Sequence, residues 1–401
     1  MAEFDQVVAR GLKERFDAQF GPADWREYFF VQAPGRTEVS GNHTDHQGGS
    51  VIAAAVNRAV QGVFAGNETN VINLESEGHS ASKICLDELA PRDDEKNSST
   101  ALIRGMAAQF AERGFTPKGF DATLTSTVAA GSGLSSSAAF EIELGQAMNV
   151  LWAKGVLAPE DLALMAQRAE HEWFGKPCGL MDMSASALGG IQHFSFATPG
   201  AIESEAVDFD FKEAGYAICL TSVGQSHEDL TDEYAAIPNE MRAVAAGLGV
   251  EILGQVSEET FMKKLPELRG TVSDRALLRA IHFYREERLV GQRVKALENS
   301  DIRSFVELTR LSGSSSAMYL QNVSVNGFAD QSAMLALGIS DETLSERGVC
   351  RIHGGGFGGT VQAYVPLEEV ETYCEAMNRV FGADACQVFE IDHDGTRAWR
   401  L

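Results

Sequence analysis

Apolar and polar side chains alternate along Phe120–Val128 with the period of a half-buried strand. Beyond it the period changes. Phe140, Leu144, Ala147, Met148 and Leu151 recur at i, i+4, i+7, i+8 and i+11, one face of a helix. Between the two lie Gly131, Ser132, Gly133, Leu134, Ser135, Ser136 and Ser137. Glycines let a backbone approach a ligand closely, and a helix start offers unpaired N–H groups at its positive end. A strand, a glycine-rich loop and a helix in that order suit a phosphate, and the lengthwise pattern is best read around them.

The same reading gives an amphipathic helix over 4–20 and a strand at Tyr28–Ala33 stopped by Pro34-Gly35. A polar loop follows from Arg36 to Gly49, then strands at Val51–Val56, Gln61–Ala65 and Val71–Glu75. Residues 90–97 form a charged loop, most simply a solvated face, before a helix over 99–113. A helix from Pro159 carries Glu170 near its end, and the turn-rich segment 196–204 marks a boundary near 200. Beyond it the pattern predicts a strand at Tyr216–Ser222 and helices over 230–247, 274–298 and 301–312. Strands Val349–His353 and Val361–Val365 flank the run Gly354–Gly359. A helix over Pro366–Phe381 and a strand at Gln387–Ile391 close the chain. The layout is α+β in two parts, 1–200 and 201–401.

Composition narrows the function. Thirty-three Lys and Arg stand against 57 Asp and Glu, a formal charge of −24, which argues against nucleic acid or an anionic membrane surface as partner. No apolar run approaches spanning length and no basic-then-apolar leader opens the chain, so a soluble cytoplasmic protein is expected. The six cysteines are scattered without a C-x-x-C pair, which favours reduced thiols over a disulfide framework or a zinc site.

Four stretches could carry chemistry. The loop Gly131–Ser137 lacks the lysine of a Walker A loop and the third glycine of a dinucleotide fingerprint. His353 followed by Gly354–Gly356 could serve an esterase oxyanion hole, but no G-x-S-x-G elbow accompanies it. So many glycines between two strands point instead to close approach to the nucleotide loop or substrate. His43, Asp45 and His46 form one short cluster with no distant third ligand, so hydroxyl recognition outranks metal binding. Asp182, among Leu180, Met181 and Met183, is either a helix cap or a buried acid–base group in need of a cation, for which Arg36 is the candidate.

Together and in this order, these pieces resemble the GHMP small-molecule kinases, and the galactokinase family most closely. Pro34–Gly49 reads P-G-R-x-x-x-x-G-x-H-T-D-x-x-G-G, similar to the family's sugar motif. G-S-G-L-S-S-S-A-A resembles its ATP motif and Gly354–Gly359 its third glycine-rich motif, while Cys178–Asp182 resembles the stretch around its catalytic aspartate. The resemblance implies a two-domain fold with the active site between domains: an N-terminal domain like domain 2 of ribosomal protein S5 and a ferredoxin-like C-terminal α/β sandwich. It implies Arg36 and Asp182 as the catalytic pair, and Asn42, His43, Asp45, Gly179 and Tyr234 around a monosaccharide. It further implies Ser76 and Gly131–Ser137 on ATP, Ser137 and Glu170 near Mg2+, and a monomer or weak homo-oligomer.

Several positions depart from the family pattern. Asn42 stands where galactokinases carry a glutamate expected to hold the sugar's hydroxymethyl group, and Met183 stands where they have glutamine. Val128-Ala129-Ala130 replaces the usual proline before the ATP loop, and the C-terminal S-H and S-C-P-E patterns appear as Ser312-Gly313 and Val323–Asn326. Loss of a carboxylate at Asn42 would relieve repulsion of an acidic sugar. The sequence therefore leads to an ATP-dependent sugar 1-kinase acting on galactose, with galacturonate or another galactose derivative as the alternative. A sugar- and ATP-binding regulator without turnover is the reading from another class.

Overall fold

The computed structural model describes residues 4–128, 133–176, 178–198, 200–224, 231–325, 329–357 and 359–401. Twelve strands among them build two sheets: β1 (Tyr28–Ser40), β2 (Ser50–Gly66), β3 (Val71–Ser76), β4 (Ser82–Cys85), β5 (Phe120–Ser126), β6 (Ile191–Ser195), β7 (Glu203–Ala206), β8 (Tyr216–Ser222), β9 (Val349–Ile352), β10 (Thr360–Pro366), β11 (Cys386–Phe389) and β12 (Arg397–Arg400). The larger sheet runs β12-β1-β2-β5-β3-β4, with β6 paired to β2 and β7 to β6; the smaller runs β11-β8-β10-β9. All pairings are antiparallel except β3 with β5.

The helices are α1 (Gln6–Phe20), α2 (Ser99–Glu112), α3 (Ser136–Trp152), α4 (Pro159–Ala169), α5 (Met181–Leu188), α6 (Thr231–Gly247), α7 (Glu258–Leu268), α8 (Asp274–Glu298), α9 (Ile302–Ser315), α10 (Ser332–Thr343) and α11 (Val370–Phe381). Helix α3 packs on β1 and β2 on one side and on α2, α4 and α5 on the others. Its buried residues, from Ala138 and Ile142 to Leu144 and Met148, therefore surround the helix rather than line one stripe. Phe64, Phe110 and Phe120 are buried in the same core, each contributing about 2–3 kcal/mol by leaving water.

Several expectations change. The strand at Tyr28 does not stop at Pro34-Gly35. It continues to Ser40, because register shifts between Pro34 and Arg36 and between Glu38 and Ser40 accommodate the proline and re-aim the residues after it. Val51–Val56 and Gln61–Ala65 are one strand. The charged segment at 90–97 is not only a solvated face: Glu95 forms a bidentate pair with buried Arg104 at 2.7 Å for both bonds. Strands β4, β6, β7 and β12 and helices α7 and α10 were not anticipated. Strand β12 returns the end of the chain to the first sheet beside β1.

Candidate active site

Position 36 lies on β1 just past the first register shift, and Asp182 lies in the first turn of α5. The guanidinium meets the carboxylate through two bonds, Nε to Oδ1 at 2.6 Å and Nη2 to Oδ2 at 2.8 Å. Burial pushes the Asp182 carboxyl up, but the Arg36 charge, its hydrogen bonds and the donated Ser135 hydroxyl outweigh that and hold it below its usual range. The Asp182 side chain keeps 30% of its surface open, so the pair is not sealed from solvent.

The phosphate-type loop closes over this pair. Arg36 Nη1 donates to the Gly133 carbonyl at 2.5 Å, and the Arg36 backbone N–H to the Leu134 carbonyl at 3.1 Å. Gly133 has φ +78° and Ser135 φ +54°, a left-handed entry into α3 that turns the chain from loop to helix. A Cβ at Gly133 would come within 2.7 Å of Thr360 Oγ1 and 3.1 Å of His353 Nδ1, so the two strands flanking the third glycine run press on this loop. Gly131 and Ser132 lie outside the described residues. Ser136 and Ser137 begin α3, half-buried. Ser76 ends β3 opposite Leu124 of β5, the strand that leads into the loop.

On the far side of Asp182 stand the expected sugar residues. Gly179 abuts Asp45 so closely that a Cβ there would sit 1.7 Å from Asp45 Oδ2. Burial, and then the Asp182 charge, raise Asp45 to about 7. His43, at φ +59°, places Nε2 3.1 Å from the Gly355 carbonyl and its ring 5.5 Å from that of Tyr234. Burial lowers His43 to about 4, so it is neutral. Tyr234 is 46% exposed as a residue, yet desolvation at its hydroxyl and the Asp182 and Asp45 charges push the phenol up, leaving it a hydrogen-bond donor.

Asn42 is fully buried, and both ends of its amide are held by protein. Nδ2 donates to the Gly354 carbonyl at 2.6 Å and to Glu38 at 3.2 and 3.4 Å; Oδ1 accepts from Ser316 at 3.2 Å and from Asn322 at 2.8 Å. Glu38 in turn pairs with buried Arg351 at 2.8 Å. A carboxylate therefore remains beside position 42, supplied from four residues earlier in the chain rather than from position 42 itself.

Two groups near Asp182 were not anticipated. Glu141 lies one turn beyond Ser137 on α3, and the i, i+4 spacing could have revealed it. Its carboxyl faces that of Glu170, and burial followed by the Glu170 charge pushes it well up. Both Glu141 oxygens and Glu170 Oε2 are buried without a hydrogen-bond partner. Glu170 opens a π-turn, Glu170–Phe174, of the kind that recurs at functional positions. Lys176 follows it. Burial alone would lower this ammonium, but Glu170 and Asp182 outweigh it and hold it raised.

Residues 101–190 match the model of the GHMP kinases N terminal domain, and residues 14–65 match the galactokinase galactose-binding signature. The galactokinase of Glaesserella parasuis serovar 5 is 30% identical over 367 residues, 89% of each chain. That of Streptomyces coelicolor is 30% identical over 390 residues, 96% of this chain and 97% of the relative. Among solved structures, Lactococcus lactis galactokinase complexed with galactose aligns with a TM-score of 0.83 at 23% identity, over 98% of this chain and all of the other. A mevalonate kinase aligns at 0.65 and 14% identity, covering 91% of this chain and 99% of its own. Fold and site thus define a GHMP kinase, a phosphotransferase acting on small molecules. Within that class the chain belongs to the galactokinase family and is a sugar kinase, with ATP as the donor its family implies. No helix among the described residues is long and apolar enough to cross a membrane.

Proposed function

We propose that this chain transfers the γ-phosphoryl group of ATP to the anomeric hydroxyl of galactose, in the cytoplasm, as a monomer or weak homo-oligomer. The observation that carries the reading is the bidentate Arg36–Asp182 pair, roofed by Gly133–Ser135 and opening toward His43, Asp45 and Tyr234. The division into units 1–200 and 201–401 is part of the same proposal, with β12 returning to the first. Ser76 and Gly131–Ser137 serve the nucleotide; His43, Asp45, Gly179 and Tyr234 surround the sugar.

Asp182 held below its usual range is a weak base. It orients the sugar hydroxyl and accepts its proton late, once bonding to phosphorus has acidified that oxygen, as a loose transition state permits. Arg36 keeps the aspartate ionised and sets a positive charge beside the transferring group. The buried, unpartnered oxygens of Glu141 and Glu170 fit a divalent cation. Glu170 and Ser137 would hold magnesium, with Glu141 alongside; the ion supplies charge neutralisation at the phosphate oxygens.

With both ends of the Asn42 amide held by protein, the missing glutamate leaves no open position to receive a sugar carboxylate, which favours galactose over galacturonate. The test is ATP consumption across galactose, galacturonate, N-acetylgalactosamine, arabinose and glucose. Galactose turnover that falls by about 10²–10⁴ in Asp182→Asn, with the fold intact, is the expected result. Wild-type protein that binds galactose and ATP yet phosphorylates no sugar would replace the proposal with the regulator reading.

A further inference from the structure

The six cysteines are scattered in sequence, but the fold gathers three of them. Cys219 on β8, Cys386 on β11 and Cys374 on α11 bring their sulfurs within 4.8 Å of one another, with Cys386 Sγ 3.4 Å from Cys374 Sγ. They sit between the smaller sheet and α11, among Ala217, Val223, Met377 and Tyr373. We propose that this cluster is a binding site for one thiophilic divalent cation of the zinc class.

The geometry needs little adjustment. Metal–sulfur bonds of about 2.3 Å place ligand sulfurs roughly 3.8–4.0 Å apart in tetrahedral or trigonal sites, within side-chain rotation of what the three cysteines present. Buried cysteine is often only a small apolar residue. Here a second observation points to a ligand. Thr221 pairs in register with Cys386 and shares a sheet face with Cys219, two residues away; it is fully buried, and its Oγ1 has no hydrogen-bond partner. That hydroxyl is the natural fourth donor. Binding forms three metal–sulfur bonds and releases the three thiol protons to solvent, with no change in oxidation state. One dication against three thiolates leaves a single negative charge to bury.

The three ligands come from three elements, so an ion here would tie α11 and β11 to β8. It would not touch Arg36, Asp182 or the sugar residues. The expected effect is on stability rather than turnover.

The experiment uses the full chain, reduced, stripped with chelator and kept anaerobic, titrated with Co2+ and then Zn2+. Expected are a sulfur-to-cobalt charge-transfer band saturating at roughly one ion per chain and bleached by zinc, and a rise in melting temperature on zinc addition. The band is absent in Cys374→Ser and kept in Cys85→Ser and Cys178→Ser. Should Cys374→Ser misfold, wild-type protein still decides. Zinc at 100 times its Kd slows alkylation of Cys374 by about a hundredfold if the site exists. A band that survives in a folded Cys374→Ser, or no band and no protection at excess metal, overturns the proposal. So does a Cys374–Cys386 disulfide formed with peroxide in a chain that binds no cobalt, which would make the cluster a redox pair.

Discussion

Asn42→Asp exchanges one atom, and the structure says that atom matters. The change replaces a buried donor with an acceptor facing Glu38 Oε1 at 3.2 Å and the Gly354 carbonyl at 2.6 Å. Two unit charges at that separation repel by about 5 kcal/mol at an effective dielectric of ~20. Arg351, 2.8 Å from Glu38, and the donors Ser316 and Asn322 offset part of it. Two lost hydrogen bonds add back about 1 kcal/mol each, so a net loss of about 3 kcal/mol at neutral pH is expected. The new carboxyl would have a folded pKa above its unfolded value. The charge part of its penalty is then absent below about pH 4 and grows as pH rises. Urea unfolding of wild type and variant at about pH 7.5 and pH 5 measures this directly: the midpoints lie further apart at the higher pH than at the lower. Equal midpoints at both values would refute the buried Glu38–Asn42 contact and restore an open, sugar-facing position 42. The same reasoning expects that Asn42→Glu does not improve turnover of galactose.

Gly179→Ala sets a methyl group 1.7 Å from Asp45 Oδ2 and should raise KM for the sugar at least about tenfold while leaving KM for ATP unchanged, which steady-state kinetics in each substrate reports. Asp45, raised to about 7, should make kcat/KM for galactose rise with pH through that value; Asp45→Asn flattens the profile. The same shift makes Asp45 contribute stability that is present below its unfolded value near 4 and lost as pH rises through about 7. Glu143 is buried on α3 with both oxygens unpartnered, and burial pushes its carboxyl well up. Glu143→Met should stabilise by about 1–2 kcal/mol at neutral pH and reduce the loss of stability as pH rises above the usual glutamate range, both read by denaturant melts.

The parts of the site that were legible lie where short-range chemistry dictates them. Glycines at a strand–helix junction, a loop of short polar residues and a lone aspartate in an apolar stretch each announce themselves locally. Arg36 was identified correctly as a cation for Asp182, but its place on a strand was not, because Pro34-Gly35 signals a stop and a register shift leaves no sequence signature. Asn42 shows the opposite failure. Its departure from the family pattern was plain, yet its consequence depends on Arg351, more than 300 positions away, and on Ser316 and Asn322 in the second half of the chain. Lys176 and Glu141 gain meaning only once Glu170 and Asp182 are set beside them.

The third glycine run explains how these separate signals become one site. His353 Nε2 lies 3.0 Å from Thr37 Oγ1 and accepts the Glu38 backbone N–H at 3.1 Å, so the run is anchored on β1 next to Arg36. From there Thr360 and His353 bear on Gly133 of the phosphate loop, while the carbonyls of Gly354 and Gly355 accept from Asn42 and lie against His43. A Cβ at Gly355 would meet the Tyr234 ring at 2.1 Å. A side chain at Gly355 would therefore push Tyr234 aside, and one at Gly133 would push the phosphate loop off Thr360 and His353. Glycine is required here by close approach to two neighbours, and through them the run fixes the distance between the sugar pocket and the phosphates across which a γ-phosphoryl group would move.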